Sequence, residues 1–274
     1  MQSKLQLRVQ RYGWDAAAHY YQSSWQQALQ PAHDALMSLA NLDEGQSVLE
    51  IASGTGLVTF RVARAVGECG KVLATDLSGE MVLVLSQLVQ DYGFENMSCS
   101  RMGAEALDVQ ASSFDRVICA LGLMYTPSPE QALREMNRAL SPGGRIVVTV
   151  WGERRNCGWA EIFPIVDAQV QSDVCPLFFA TGNKGTLAQM VQNAGFERVE
   201  EIRTSEIMYF GSASELLIAM LDGGPVVLAN KRFSPEARLA VEDQFLTSVI
   251  DYQLPDGSYH IPCEFVSLAA TKRA

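Results

Sequence analysis

Histidine is scarce in this chain: three in 274 residues, at positions 19, 33 and 260, with no HxH or HxxxH pair. Metal catalysis is therefore left without a ligand set, and no metal site is expected. Six cysteines, at positions 69, 99, 119, 157, 175 and 263, show no CxxC or other close ligand spacing. Several stand in apolar strand-like runs and read as small buried hydrophobes, which points to reduced thiols and a cytoplasmic setting. Basic residues are outnumbered, 21 Lys and Arg against 31 Asp and Glu, for a formal net charge of −10. Nucleic-acid binding needs a basic footprint, so the balance argues against it, and the pairs Arg154-Arg155 and Lys231-Arg232 read as solvated surface. No stretch approaches the roughly 20 apolar residues of a membrane span. The N-terminus carries charges and glutamines where a signal core would be apolar, and no membrane association is expected. Internal repeats and low-complexity segments are absent too. What remains, 48% hydrophobic residues in 274, is enough for one sizeable core.

The informative stretch is Ser47 to Phe60, SVLEIASGTGLVTF. Val48, Leu49 and Ile51 read as a short buried strand and Leu57 onward as helix, joined by a turn of small residues. Gly54 and Gly56 carry no Cβ, so the chain can bend sharply and a ligand can approach the backbone. Strand, glycine turn and helix N-terminus together form a nucleoside-binding corner. Asp76, ending KVLATD twenty residues after Gly56, is placed to accept hydrogen bonds from both hydroxyls of a ribose. A dinucleotide site wants a third glycine where Thr59 stands, and the acid Glu50 before the turn disfavours a pyrophosphate. A cationic, amino-acid-bearing nucleoside such as S-adenosylmethionine suits the charge better. Geometry alone would also explain the glycines, but an acid on each side of the turn weighs against that.

With these residues the chain resembles the class I S-adenosylmethionine-dependent methyltransferases, specifically the small-molecule group related to the ubiquinone/menaquinone-biosynthesis methyltransferases. EIASGTG (Glu50 to Gly56) is similar to the family's first motif, with Ala52 in place of its first glycine. DLSGEM (Asp76 to Met81) resembles the ribose-acid motif, with Gly79 where proline is usual. GAEAL (Gly103 to Leu107) resembles the segment that brackets the adenine, although Gly103 stands where the family often has aspartate. The residue reading and the resemblance together place the cofactor against Tyr20, Glu50, Ala52, Ser53, Gly54, Gly56, Asp76, Leu77, Met81, Gly103, Ala104, Glu105, Ala120 and Leu121.

Elsewhere strand and helix patterns alternate. Lys71–Asp76, residues 97–102, Phe114–Ala120 and residues 145–151 read as strands, and residues 78–92 and 129–140 as helices, the second with Ser128 as its N-cap. Ser141-Pro142-Gly143-Gly144 ends that helix. Alternation of this kind implies an α/β, Rossmann-like doubly wound sheet with helices on both faces. The resemblance implies seven strands, mostly parallel, with an antiparallel last strand and a helical cap. Residues 41–210 and 261–274 then form the core, residues 1–40 an N-terminal helical lid, and residues 211–260 a helical cap over the substrate. The lid carries Tyr12, Trp14, Tyr20, Tyr21 and Trp25, which could close over the cofactor or simply pack on the core.

Because a sulfonium methyl is already electrophilic, alignment and exclusion of water can supply most of the catalysis. A weakly acidic acceptor would also need a base, for which His19, His33, His260 and Tyr125 are the candidates. The function expected is methyl transfer by in-line displacement to a small-molecule oxygen, nitrogen, carbon or sulfur nucleophile, by a monomer or homodimer. The alternatives are an RNA or protein methyltransferase and a non-methylating S-adenosylmethionine-binding protein.

Overall fold

The computed structural model describes residues 3–170, 175 and 178–274; Met1 and Gln2 of the expected lid, and residues 171–174, 176 and 177 of the aperiodic stretch after Trp151, lie outside them. Two helices lead, α1 (Ser3–Trp25) and α2 (Gln30–Ala40). The first βαβ unit is β1 (Ser47–Ile51), α3 (Thr59–Val66) and β2 (Lys71–Asp76). It continues through α4 (Gly79–Tyr92), β3 (Met97–Arg101), β4 (Phe114–Ala120), α5 (Pro129–Ala139) and β5 (Leu140–Trp151). Then follow α6 (Ile162–Val170), α7 (Thr186–Asn193) and β6 (Phe196–Phe210). Two short helices, α8 (Ala213–Leu217) and α9 (Val227–Asn230), and the longer α10 (Pro235–Ser248) precede β7 (Tyr259–Lys272).

The strands form one seven-stranded sheet in the order β3-β2-β1-β4-β5-β7-β6. β1 pairs in parallel with β2 on one side and β4 on the other, and β4 in parallel with β5. β7 runs antiparallel between β5 and β6. This is the expected mostly parallel sheet with an antiparallel last strand. Its order reverses direction at β1, with β2 on one side and β4 on the other, and a parallel sheet opens a crevice beyond its strand ends at such a point.

Sequence pattern explains the burial. Val48, Leu49, Val117 and Ile118 are wholly buried because helices cover both faces of the central strands. Leu133, Met136 and Leu140 are likewise buried, the stripe expected of α5 and its junction with β5. Two local expectations are corrected. Ser128 makes no side-chain cap on α5; its backbone N–H instead donates to Glu105 Oε1 at 2.9 Å, tying the helix start to the loop of residues 103–107. Ser78 does cap α4, its Oγ accepting from Met81 N–H at 3.1 Å. Ser141 to Gly144 belong to the long strand β5, where the pairing with β4 shifts register between Phe114 and Arg116.

Residues 211–252 are mostly helical, lie between the two strands of the last hairpin and pack behind α1. Trp25 Nε1–H donates to Gly223 O at 2.9 Å, and the glycine's own face lies against Tyr20 and Ser24 of α1.

Candidate active site

The main cleft lies at the carboxyl ends of β1, β2 and β4 and holds about 740 Å3 of empty space, its mouth included. The sheet side supplies Ile51, Ala52, Gly54, Asp76, Leu77, Met81, Met102, Gly103, Ala104, Glu105, Cys119, Ala120, Leu121 and Gly122. Leu7, Gln10, Trp14 and Tyr21 of α1 close it from the other side, with Tyr125 and Thr126 beyond β4.

The glycine turn and Asp76 are bound together. Gly54 N–H donates to Asp76 Oδ2 at 2.9 Å, and Ser78 N–H donates to Oδ1 at 2.8 Å. Burial raises the Asp76 pKa to about 6, partly opposed by those two N–H groups. Glu50 is only 1% exposed. Burial, opposed by the nearby Thr59 hydroxyl and reinforced by Asp76, pushes its pKa up to about 8. Neither carboxylate takes part in an ion pair among the described residues, and Glu50 Oε2 and Ser53 Oγ have no hydrogen-bond partner there. Two buried carboxyls without a protein cation are costly unless a ligand supplies the charge.

Ala52 and Leu121 hold left-handed backbone, with φ of 55° and 54°. Gly122 leaves room for the Ala52 side chain, because a Cβ on it would stand 2.3 Å from Ala52 Cβ. The alanine at the first motif position is therefore matched by a glycine seventy residues later. Gly122→Ala should destabilise the fold by about 1–3 kcal/mol through overpacking. Combining it with Ala52→Gly should recover most of that loss, and a double-mutant cycle from urea unfolding would show additive effects if the two positions were independent.

Most of the residues expected around the cofactor do line this cleft, with four exceptions. Glu50 and Ser53 sit just behind it. Gly56 serves packing: a Cβ there would be 2.5 Å from Leu85 and 2.9 Å from Phe60. Tyr20 points outward, 46% exposed, and Tyr21 takes the place in the cleft, its ring 3.4 Å from where a Gly54 Cβ would be. Leu7, Gln10, Ile51, Met102, Cys119, Gly122 and Thr126 were not anticipated. Of the candidate bases, His19 and His260 are exposed and line neither hollow. His33 is buried on α2, where burial first and Arg61 second lower its pKa to about 4; it is a neutral packed residue away from the cleft. Tyr125 does line the cleft, but burial raises its pKa well above the ordinary value, with Cys175 and Tyr21 adding to it. It holds its proton and is no ready base. Among the described residues no metal-binding group of His, Cys, Asp and Glu occurs, and no helix is long and apolar enough to cross a membrane.

A second, smaller hollow, about 320 Å3 of empty space with its opening included and itself narrow, adjoins the first, sharing Trp14, Tyr21, Leu121 and Tyr125 with it. Trp25, Leu29, Trp151, Trp159 and Pro225 complete its wall. Pro225 is the one contribution from residues 211–260 to either hollow.

A sequence profile of the ubiE/COQ5 methyltransferase family matches residues 25–163, which hold the turn, both carboxylates and β4. The chain belongs to the ubiE/COQ5 methyltransferase family. It is similar to the ubiquinone/menaquinone biosynthesis C-methyltransferase UbiE of Hahella chejuensis, 42% identical over 113 residues. That match covers 41% of this chain and 45% of the relative, so the similarity spans less than half of that protein. The UbiE protein of Salmonella paratyphi B is 31% identical over 171 residues, 57% of this chain and 68% of the relative. Among solved structures, the Haemonchus contortus phosphoethanolamine N-methyltransferase 2 in complex with S-adenosyl-L-methionine shares the fold. Its TM-score is 0.62 at 19% identity, covering 95% of this chain and 57% of that one. As a member of this family the chain is a methyltransferase, and its cleft fits S-adenosylmethionine. The cleft presents the buried Asp76 with no cation paired to it and small residues at Ala52, Gly54, Gly103 and Ala104, and the unpartnered Glu50 Oε2 lies just behind it.

Proposed function

We propose that this methyltransferase moves the methyl group of S-adenosylmethionine to a small molecule by in-line displacement at an oxygen, nitrogen, carbon or sulfur atom. The observation that carries the reading is Asp76, buried in the cleft wall with no protein cation beside it, backed by the buried, unpartnered Glu50 Oε2 just behind the cleft. Bound there, S-adenosylmethionine supplies an electrophilic methyl group on a sulfonium. Asp76 would hold the ribose hydroxyls, Glu50 and Ser53 the amino-acid end, and Leu77, Met81 and Met102 to Glu105 the adenine. Gly103 offers no side-chain acceptor to the adenine amino group, so backbone must serve it. Trp14 and Tyr21 present aromatic faces that attract a cation and exclude water. The acidic balance disfavours an RNA substrate, and the six free cysteines suit a reducing, cytoplasmic compartment.

Helix α1 acts as the lid in this reading, and residues 211–260 act as its buttress. Asp15 of α1 accepts from Ser78 Oγ at 2.7 Å and from Glu80 N–H at 3.2 Å, at the start of α4. Thr55 Oγ1 donates to Gln22 Oε1 at 2.7 Å, holding the helix to the glycine turn. A few polar latches over a cleft can open without unfolding the sheet. Calorimetric titration with S-adenosylhomocysteine should give one-to-one binding, and the same ligand should slow hydrogen exchange across residues 8–25 about tenfold or more. Absence of binding would overturn the cofactor reading. Binding with unchanged exchange in α1 would return that helix to the static core.

A further inference from the structure

The sheet ends on β6, whose 15 residues are paired along one side, with β7. Among the described residues, the backbone of residues 197–209 makes no hydrogen bond outside that ladder. Every second N–H and C=O along the outer side is therefore open to a further strand, and an edge of this length is a template for another chain. The opposite end of the sheet, β3, has only five residues. A bulge interrupts the start of β6, where the pairing with β7 shifts between Glu197 and Glu200 and Arg198 holds a φ of 52°. Residues 200–210 then run in unbroken register. Ile202 lies in that stretch, 36% exposed among charged neighbours.

The charges on β6 are unevenly answered. Glu197 is met by Arg273 at 3.2 Å and Glu200 by Arg145 at 2.9 Å. Glu201 and Arg203 meet each other at 3.3 Å. Arg198 and Glu206 have no ion-pair partner among the described residues. Two antiparallel copies of one strand are related by a two-fold axis through a residue, so positions equally far before and after that residue face each other. With the axis at Ile202, Arg198 faces Glu206 of the second copy, and Glu201 faces its Arg203. Each match occurs twice, Ile202 meets Ile202, and no like charges stand opposite. Axes at Val199 or Glu200 give one kind of match each and set glutamate against glutamate, which is destabilising.

We propose that the outer edge of β6 is a self-recognition surface, on which a second copy of this chain adds its own β6 in antiparallel register about Ile202. The two seven-stranded sheets become one. Pairing consumes the long free edge of each chain, so assembly closes at two copies. The cofactor cleft, at the ends of β1, β2 and β4, lies on the far side of β5 and β7 and stays open in both. A regular ladder over residues 200–204, with the charge matches beside it, makes a small interface, so the dimer exchanges with monomer.

Sedimentation velocity of the full chain in low salt, from about 5 μM to about 500 μM, should show monomer giving way to dimer. Arg198→Glu and Glu206→Arg each set like charges opposite twice, and each should weaken the dimer about tenfold. The two changes together restore opposite charges in exchanged positions, and should return the dimer to within about threefold of wild type. A folding defect cannot produce that rescue, and neither residue lines the cofactor cleft. Hydrogen exchange on the wild type needs no variant: amides of residues 200–204 should slow as concentration rises over the same range. A chain that stays monomeric to about 500 μM, with exchange there unchanged, overturns the proposal. So does a dimer that ignores both single substitutions, or one that the paired exchange fails to rescue, because its contacts then lie elsewhere.

Discussion

Replacing Asp76 by asparagine is expected to weaken S-adenosylmethionine binding by about 100-fold, or roughly 2–3 kcal/mol. The carboxylate is held in place by Gly54 and Ser78 N–H groups, so it meets a ligand already oriented. An amide in its place presents a donor to one of those N–H groups and accepts more weakly from ribose hydroxyls. A pH signature accompanies the loss. With the Asp76 pKa raised to about 6, the wild type should bind more weakly as pH falls from about 7 to about 5, because the carboxylate takes up a proton. Titrations of Asp76→Asn across that range should lack the Asp76 part of this fall. Equal affinity in variant and wild type would remove Asp76 from the site.

The second large effect is on stability and runs in the opposite direction to function. Burial and Asp76 raise the Glu50 pKa to about 8, so the folded chain holds a proton that the unfolded chain has lost well below that pH. Stability of the ligand-free protein therefore falls as pH climbs from about 4.5 to about 8, and above that range the full cost of ionising a buried acid is present. Glu50→Gln removes the ionisation. At about pH 8.5 the variant should be more stable than wild type, by up to an order-of-magnitude figure of 3–5 kcal/mol. Near pH 4 the two should unfold alike. The same substitution should weaken cofactor binding, since a neutral amide no longer answers a cationic ligand. A site retained for binding at the expense of stability shows this pairing. Urea unfolding at the two pH values, with and without S-adenosylhomocysteine, checks both halves. A variant less stable than wild type at about pH 8.5 would mean that Glu50 has a structural partner.

The corner between β1 and α3 was legible in the sequence because its constraints are local. An apolar strand, a run of small residues and an acid at the next strand end need no distant information. The alternation that builds the sheet was legible for the same reason, and so was the antiparallel final strand through the family resemblance. Helix phase in the lid was missed. Tyr20 and Tyr21 are adjacent and equally aromatic, and one faces solvent while the other faces Gly54. The buried Ala17, Ala18, Trp25 and Ala28 carried the missing signal. Counted with Leu7, Gln10 and Trp14 at intervals of three and four, they place Tyr21 on the inner stripe. The pairing of Ala52 with Gly122 and the tie from Trp25 to Gly223 were invisible for another reason. Both join residues 70 or more positions apart, and a single sequence carries no record of such contacts. Gly56 shows a third limit, since a glycine required by Leu85 and Phe60 reads the same as one required by a ligand.

Transfer of a methyl group from S-adenosylmethionine to a small molecule can be followed with cofactor isotopically labelled at that methyl. The full chain is incubated with it and with a small-molecule extract from which macromolecules have been removed. The label should appear in a low-mass product as S-adenosylhomocysteine accumulates, and Asp76→Asn at the same cofactor concentration should slow both. Label that stays on the cofactor in every fraction, although titration shows the cofactor bound, would contradict that transfer.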